Sequence, residues 1–137
     1  MSKPGRKSTA ALSVVSNSPI EATERPLPPP ELTTEQKREW VEVVNRLPAD
    51  WFPRETWALL AQYCRHVIAA RHVAQLLERV ESLDEVEVEQ YDRLLKMQER
   101  EGRAISSLAT RMRMSQQSTY DKERGKGKGK ITKKPWE

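Results

Sequence analysis

"ERPLPPPELTTEQKREW", residues 24–40, changes character at its midpoint. Pro26, Pro28, Pro29 and Pro30 lack amide hydrogens and push their predecessors toward extended geometry, so no helix runs through the first half. That half reads as a semi-rigid polyproline II spacer. In the second half Thr33 is placed to cap a helix, with Gln36 three residues on, the spacing of a capping box. Trp40, Val43, Val44 and Leu47 then recur at the i, i+3, i+4, i+7 spacing of one helical face, and Pro48 ends the pattern. The stretch is a boundary. It predicts an arm and spacer over residues 1–31 and a folded body from residue 32.

Beyond the boundary the periodicity stays helical. A first helix is expected over 33–47, and "PADWFPRE" (48–55) is a connector carrying Trp51 and Phe52. Trp40, Trp51 and Trp57 predict an aromatic knot where the first two helices meet, which is core packing rather than a ligand box. A second helix over 54–80 carries the stripe Trp57, Leu60, Ala61, Cys64, Val67 and Ile68, continued by Val73, Leu76, Leu77 and Val80. "ESLDEVEVEQ" (81–90) is an acidic connector, or a fraying helix end followed by a short turn. A third helix over 90–113 places Tyr91, Leu94, Leu95, Ile105, Leu108, Ala109 and Met112 on its inner face. Gly102 either weakens that helix by about 1 kcal/mol relative to alanine or permits a close helix contact. No internal repeat and no strand pattern is present. The expectation is an all-α chain: a short N-terminal helix, a long antiparallel helical hairpin, a disordered N-terminal arm and a basic C-terminal tail. The body, 32–115, is read as a helical oligomerisation core, and 116–137 as a short turn or helix followed by the flexible tail.

The charge is unevenly placed. Residues 1–25 carry four Lys/Arg against two acids, residues 120–137 seven against three, and residues 26–119 thirteen against fifteen. The net charge of +4 therefore lives at the ends, and those are the anion-seeking parts. With 36% hydrophobic against 32% charged residues, a body this small gains stability by oligomerising. Cys64 is the single cysteine, which excludes a disulfide framework and a cysteine-based zinc site and reads as a buried, inert thiol. No apolar run approaches a membrane span, and the apolar part of "MSKPGRKSTAALSVVSNSP" is too short for a signal peptide, so a cytosolic location is expected.

No catalytic constellation is visible. There is no Walker loop, no glycine fingerprint, and no nucleophile set beside a base, so no enzyme and no cofactor is expected. His66 and His72 are six apart, which is not the i, i+3 or i, i+4 spacing that brings two ligands to one metal. The acids Glu78, Glu81, Asp84, Glu85, Glu87 and Glu89 read as a solvated hairpin end, not a metal site. Phosphate binding has two possible seats. Arg65, His72 and Arg79 recur every seven residues and form either a positive strip, with Arg71 beside it, or a solvated helix face. The ends supply Lys3, Arg6 and Lys7 in front, and Lys122, Arg124, Lys126, Lys128, Lys130, Lys133 and Lys134 behind, with Trp136 the single aromatic of the tail's last stretch. Binding through such ends is weakly selective and strongly salt-sensitive, although basic tails also serve solubility. In "SLATRMRMSQQSTYDKER" (107–124) the positions Leu108, Ala109, Met112, Met114 and Ser115 are spaced like a helix, turn and second helix start. Arg113 stands where such a turn favours glycine, at about 1–2 kcal/mol of strain if the turn is retained.

The order of motifs is distinctive. "GRK" (5–7) precedes "RPLPPPELT" (25–33), followed by "EW" (39–40), "LLAQYCRHV" (59–67) and "MRMSQQSTY" (112–120). This resembles the small terminase subunit of tailed bacteriophages. In the closing motif Arg113 replaces the family's glycine, Gln116 its proline, and no arginine follows Ser118 directly. The resemblance implies a non-enzymatic DNA-packaging factor in the cytoplasm of an infected bacterial host. Its implied partners are viral double-stranded DNA, the large terminase subunit, and itself in a cyclic homo-oligomer. On this reading Lys3, Arg6, Lys7, Arg65, Arg71 and Arg79 are the DNA-binding candidates. Lys126, Lys128, Lys130, Lys133, Lys134 and Trp136 are candidate contacts to the large subunit. A helix-turn-helix regulator using residues 115–124, and a helical adaptor without a nucleic-acid role, are the rival expectations.

Overall fold

The computed structural model describes residues 23–116. Every regular element among them is helical: α1 (Thr34–Arg46), a single 3-10 turn (Arg54–Thr56), α2 (Trp57–Glu81) and α3 (Val88–Arg111). The expected short helix and long hairpin are both present. The arm up to residue 22 and the tail from residue 117 lie outside the described residues.

α1 begins as its sequence dictates. The Gln36 amide donates to Thr33 Oγ1 at 3.3 Å and the Thr33 amide donates to Gln36 Oε1 at 3.0 Å, closing the capping box. Its inward face, Trp40, Val43 and Val44, enters a core with Leu32, Phe52, Leu60, Ala61, Cys64 and Met112. This core sits at the open end of the hairpin. Toward the hairpin bend only a small second cluster remains, Leu77, Val80 and Leu94 with Val73 and Tyr91 against it.

The aromatic knot is real, and its polar atoms explain its reach. Trp40 Nε1 donates to the Pro26 carbonyl at 2.9 Å, Trp51 Nε1 to the Met112 carbonyl at 3.1 Å, and Trp57 Nε1 to the Phe52 carbonyl at 3.0 Å. Each indole satisfies a carbonyl from a non-helical segment, the pairing buried tryptophans require. Three loose pieces of chain are thereby tied to one core.

One consequence corrects the spacer reading. The proline stretch does not stand away from the body, because Pro26 and Leu32 are buried against α1. Arg25 donates to the carbonyls of Val44 and Leu47, at 2.6 Å for Leu47, and so caps the C-terminal end of α1. A guanidinium there satisfies orphan carbonyls and complements the negative end of the helix dipole. The stiffness of the prolines fixes a docked strap, and the folded body begins at Arg25 rather than at residue 32.

α3 ends in a Schellman motif. The Arg113 amide donates to the Thr110 carbonyl at 3.1 Å and the Met114 amide to the Ala109 carbonyl at 2.8 Å. Arg113 takes the left-handed position with φ 57° and is the one non-glycine positive φ among the described residues. The strain expected from the sequence is therefore present, held by Met112 in the core and Met114 packed against it. Gln116 is helical again.

Candidate nucleic-acid interface

The described cations lie mostly on helix surfaces, and their neighbours decide what each can bind. Across the α1–α2 seam, Arg71 Nη2 bonds to Glu39 Oε2 at 2.6 Å, and His72 Nε2 meets Glu35 Oε2 at 3.1 Å. Glu39 is the buried acid of the body, with its side chain 6% exposed, so it needs this partner. Arg71, a DNA-binding candidate in the sequence, is thus a structural clamp between α1 and α2. A polar cleft opens beside it, lined by Glu35, Arg38, Arg71, His72 and Gln75. Its two arginines are balanced by Glu35 and Glu39, which leaves no surplus positive charge for a phosphate.

Arg65 and Arg79 lie on the same strip of α2 as His72, half-buried and exposed respectively, and neither forms an ion pair among the described residues. His72, paired with Glu35, interrupts the strip between them. The seven-residue spacing correctly places these three side chains on one side of α2, but it cannot reveal that α1 supplies acids to that side. Arg38 and Gln75 were not selected from the sequence; Arg38 is brought to the cleft only because α1 crosses α2 there. A carboxylate three residues before it, Glu35, was the available hint.

Other cations are also committed locally. Arg46 pairs with Glu42 at 3.4 Å, Lys96 with Asp92 at 2.7 Å, and Arg103 with Glu99, all at i, i+4 spacing. Asp92 holds the Lys96 ammonium above its ordinary range through the hydrogen bond and the nearby charge. Arg54 lies over the Trp57 ring, 5.9 Å from its centroid. On the α2–α3 side His66 Nδ1 meets Glu101 Oε2 at 2.6 Å, a cross-hairpin tie.

Among the described residues no group of three His, Cys, Asp or Glu is placed to hold a metal ion, and no helix is long and apolar enough to cross a membrane. Cys64 is fully buried, and burial, with the Glu39 charge second, pushes its thiol up to about 12. It is a packing residue, not a nucleophile. Lys3, Arg6 and Lys7, and Lys126, Lys128, Lys130, Lys133, Lys134 and Trp136, lie outside the described residues. Comparison with protein-family models, curated proteins and solved structures finds no match to this chain.

Proposed function

We propose that this chain is a DNA-packaging factor of the small-terminase kind. It assembles into a cyclic homo-oligomer in the cytoplasm of an infected bacterial host, binds viral double-stranded DNA, and delivers it to a large ATPase/nuclease subunit whose activities it modulates. The reading rests on the order of motifs from Gly5 to Tyr120. The observation that supports it best is the partition of charge. Residues 26–119 carry thirteen Lys/Arg against fifteen acids, and Arg71 is neutralised by Glu39, so phosphate binding falls to the cationic ends. On this reading Lys3, Arg6 and Lys7 grip DNA with help from Arg65 and Arg79, and the tail lysines with Trp136 face the large subunit.

The experiment pairs native mass spectrometry of the full chain with gel shifts across a salt series. A closed ring and a DNA affinity that falls steeply with salt support packaging. A compact monomer that ignores DNA at low ionic strength overturns it and leaves the helical adaptor. A second reading, a helix-turn-helix regulator, is favoured by one observation: the left-handed turn at Arg113 followed by helical Gln116. A dimer with sequence-selective binding that survives moderate salt would establish that reading instead.

A further inference from the structure

Around the bend between α2 and α3 the chain leaves a group of apolar side chains open. Leu83 is 57% exposed and Val88 77%, and Leu76, Val86 and Leu95 lie exposed around them. The cluster beneath is only Leu77, Val80 and Leu94 with Val73 and Tyr91 against it, so this surface has no cover from its own helices. Negative charge collects in the same place. Residues 81–92 hold six acids and no base, whereas the other described residues hold fourteen Lys/Arg against ten acids. Asp84, Glu85, Glu87 and Glu89 form no ion pair among the described residues, although Arg79 and Arg93 border the run. An open apolar surface rimmed by unpaired carboxylates fits a segment that carries both apolar side chains and cations.

The chain itself contains such a segment. Residues 124–136, "RGKGKGKITKKPW", hold six Lys/Arg and no acid, with Ile131 and Trp136 among them. We propose that the bend of one copy is the docking surface for residues 124–136 of a second copy. Ile131 and Trp136 of the second copy are the apolar anchors for Leu83, Val86 and Val88, and its lysines face the free carboxylates. Reach decides whose tail it is. Met114 packs against the core at the open end, and the cationic run begins eight residues beyond Gln116. Eight residues span at most about 29 Å fully extended. The 24 residues of α3 separate the open end from the bend by about 36 Å. A chain's own tail meets its bend only when drawn straight along the hairpin, whereas the tail of a second copy carries no such constraint. Because it joins two different surfaces, the contact is heterologous and repeats head to tail around a cycle. The inference deepens the packaging reading and rests on it only for the closure of that cycle. A tail held by the next copy is withheld from the large subunit, so the two contacts of the tail lysines alternate.

A charge swap in the full chain, read by sedimentation at low salt, tests the contact. Asp84 and Glu85 are exposed and lie outside both helices, so Asp84→Lys/Glu85→Lys should match the parent by circular dichroism. That variant and Lys128→Glu/Lys130→Glu should each weaken self-association about tenfold. An equimolar mixture should recover most of it, because each variant's tail then meets the opposite charge on the other's bend. Cysteine linkage supplies the second arm. Full-length Val86→Cys and Ile131→Cys, mixed and oxidised, are expected to form a disulfide-linked heterodimer about tenfold faster than either alone. Recovery when all four charge changes share one chain, but not on mixing, would assign the bend to its own tail and overturn the second copy. Charge variants without effect, or linkage no faster than with Val41→Cys, an exposed control on α1, would overturn the docking surface itself. A ring that forms regardless of these charges removes this contact and leaves the packaging reading standing. Tail-to-bend linkage in a chain without affinity for DNA removes packaging and leaves the contact.

Discussion

The two ends of the hairpin are built differently from similar helices. At the open end, α1, the connector, α2, the last turn of α3 and the Arg25–Leu32 strap converge on Trp40, Leu60 and Cys64, each fully buried. At the bend end only two helices meet, around Leu77, Val80 and Leu94, while Leu76, Leu83, Val86, Val88 and Leu95 stay exposed. The acids between residues 81 and 92 crowd this same end. Two helices cannot bury apolar residues on more than one side of each, so the bend end holds apolar surface that its own chain does not cover. Stability is therefore concentrated at one end and capacity for association at the other.

The largest expected effect comes from the open end. Trp40→Ala removes a fully buried ring and the donor to the Pro26 carbonyl, and is expected to cost about 4 kcal/mol. A body of this size has little stability to lose, so urea denaturation followed by far-ultraviolet circular dichroism should lose its cooperative transition. Trp40→Phe keeps most of the ring and should retain a transition at lower urea. If Trp40→Ala unfolds no more easily than a surface variant such as Val41→Ala, the concentration of stability at this end is wrong.

Leu94→Ala is the matching cut at the other end, about 2 kcal/mol from a site with two helices around it. Its consequence should be local. Amide exchange is expected to accelerate over residues 76–96 while protection around Trp40 and Cys64 holds, because the open-end core does not include Leu94. Uniform loss of protection would show that the two ends form one cooperative unit.

Much of this difference was legible in the sequence, and what was not has a physical reason. The capping box at Thr33, the stripe of α1, the three-tryptophan knot and the left-handed position of Arg113 all follow from local chemistry within a few residues. The docked strap did not, because a polyproline segment carries no periodicity that reports a partner. The Trp40–Pro26 and Arg25–Leu47 bonds join residues 14 and 22 apart. The same limit acted at the candidate interface. Arg71 reads as a DNA-binding candidate in its own helix, and only the crossing of α1 reveals Glu39 beneath it.

Cys64 reports on the open end through pH. Its thiol is raised from 9.0 to about 12, so in the folded chain it keeps its proton over a range in which the unfolded chain releases it. The unfolded state then binds fewer protons, and stability present below about pH 9 is lost as pH rises toward 12, at about 1.4 kcal/mol per pH unit. Tyr63 beside it is shifted upward for the same reasons, burial first and Glu39 second, and acts in the same direction. Denaturation midpoints measured between pH 8.5 and 10.5 should fall more steeply for the parent than for Cys64→Ala. Parallel slopes would mean that the thiol reaches solvent in the native state.

The smallest effect tests the open face of α3 between the two ends. Gly102→Ala adds a methyl that meets nothing within 4 Å and replaces the weakest ordinary helix former in mid-helix. It should raise stability by about 1 kcal/mol, seen as a higher thermal midpoint. A lower midpoint would mean that this face of α3 is covered by its own chain.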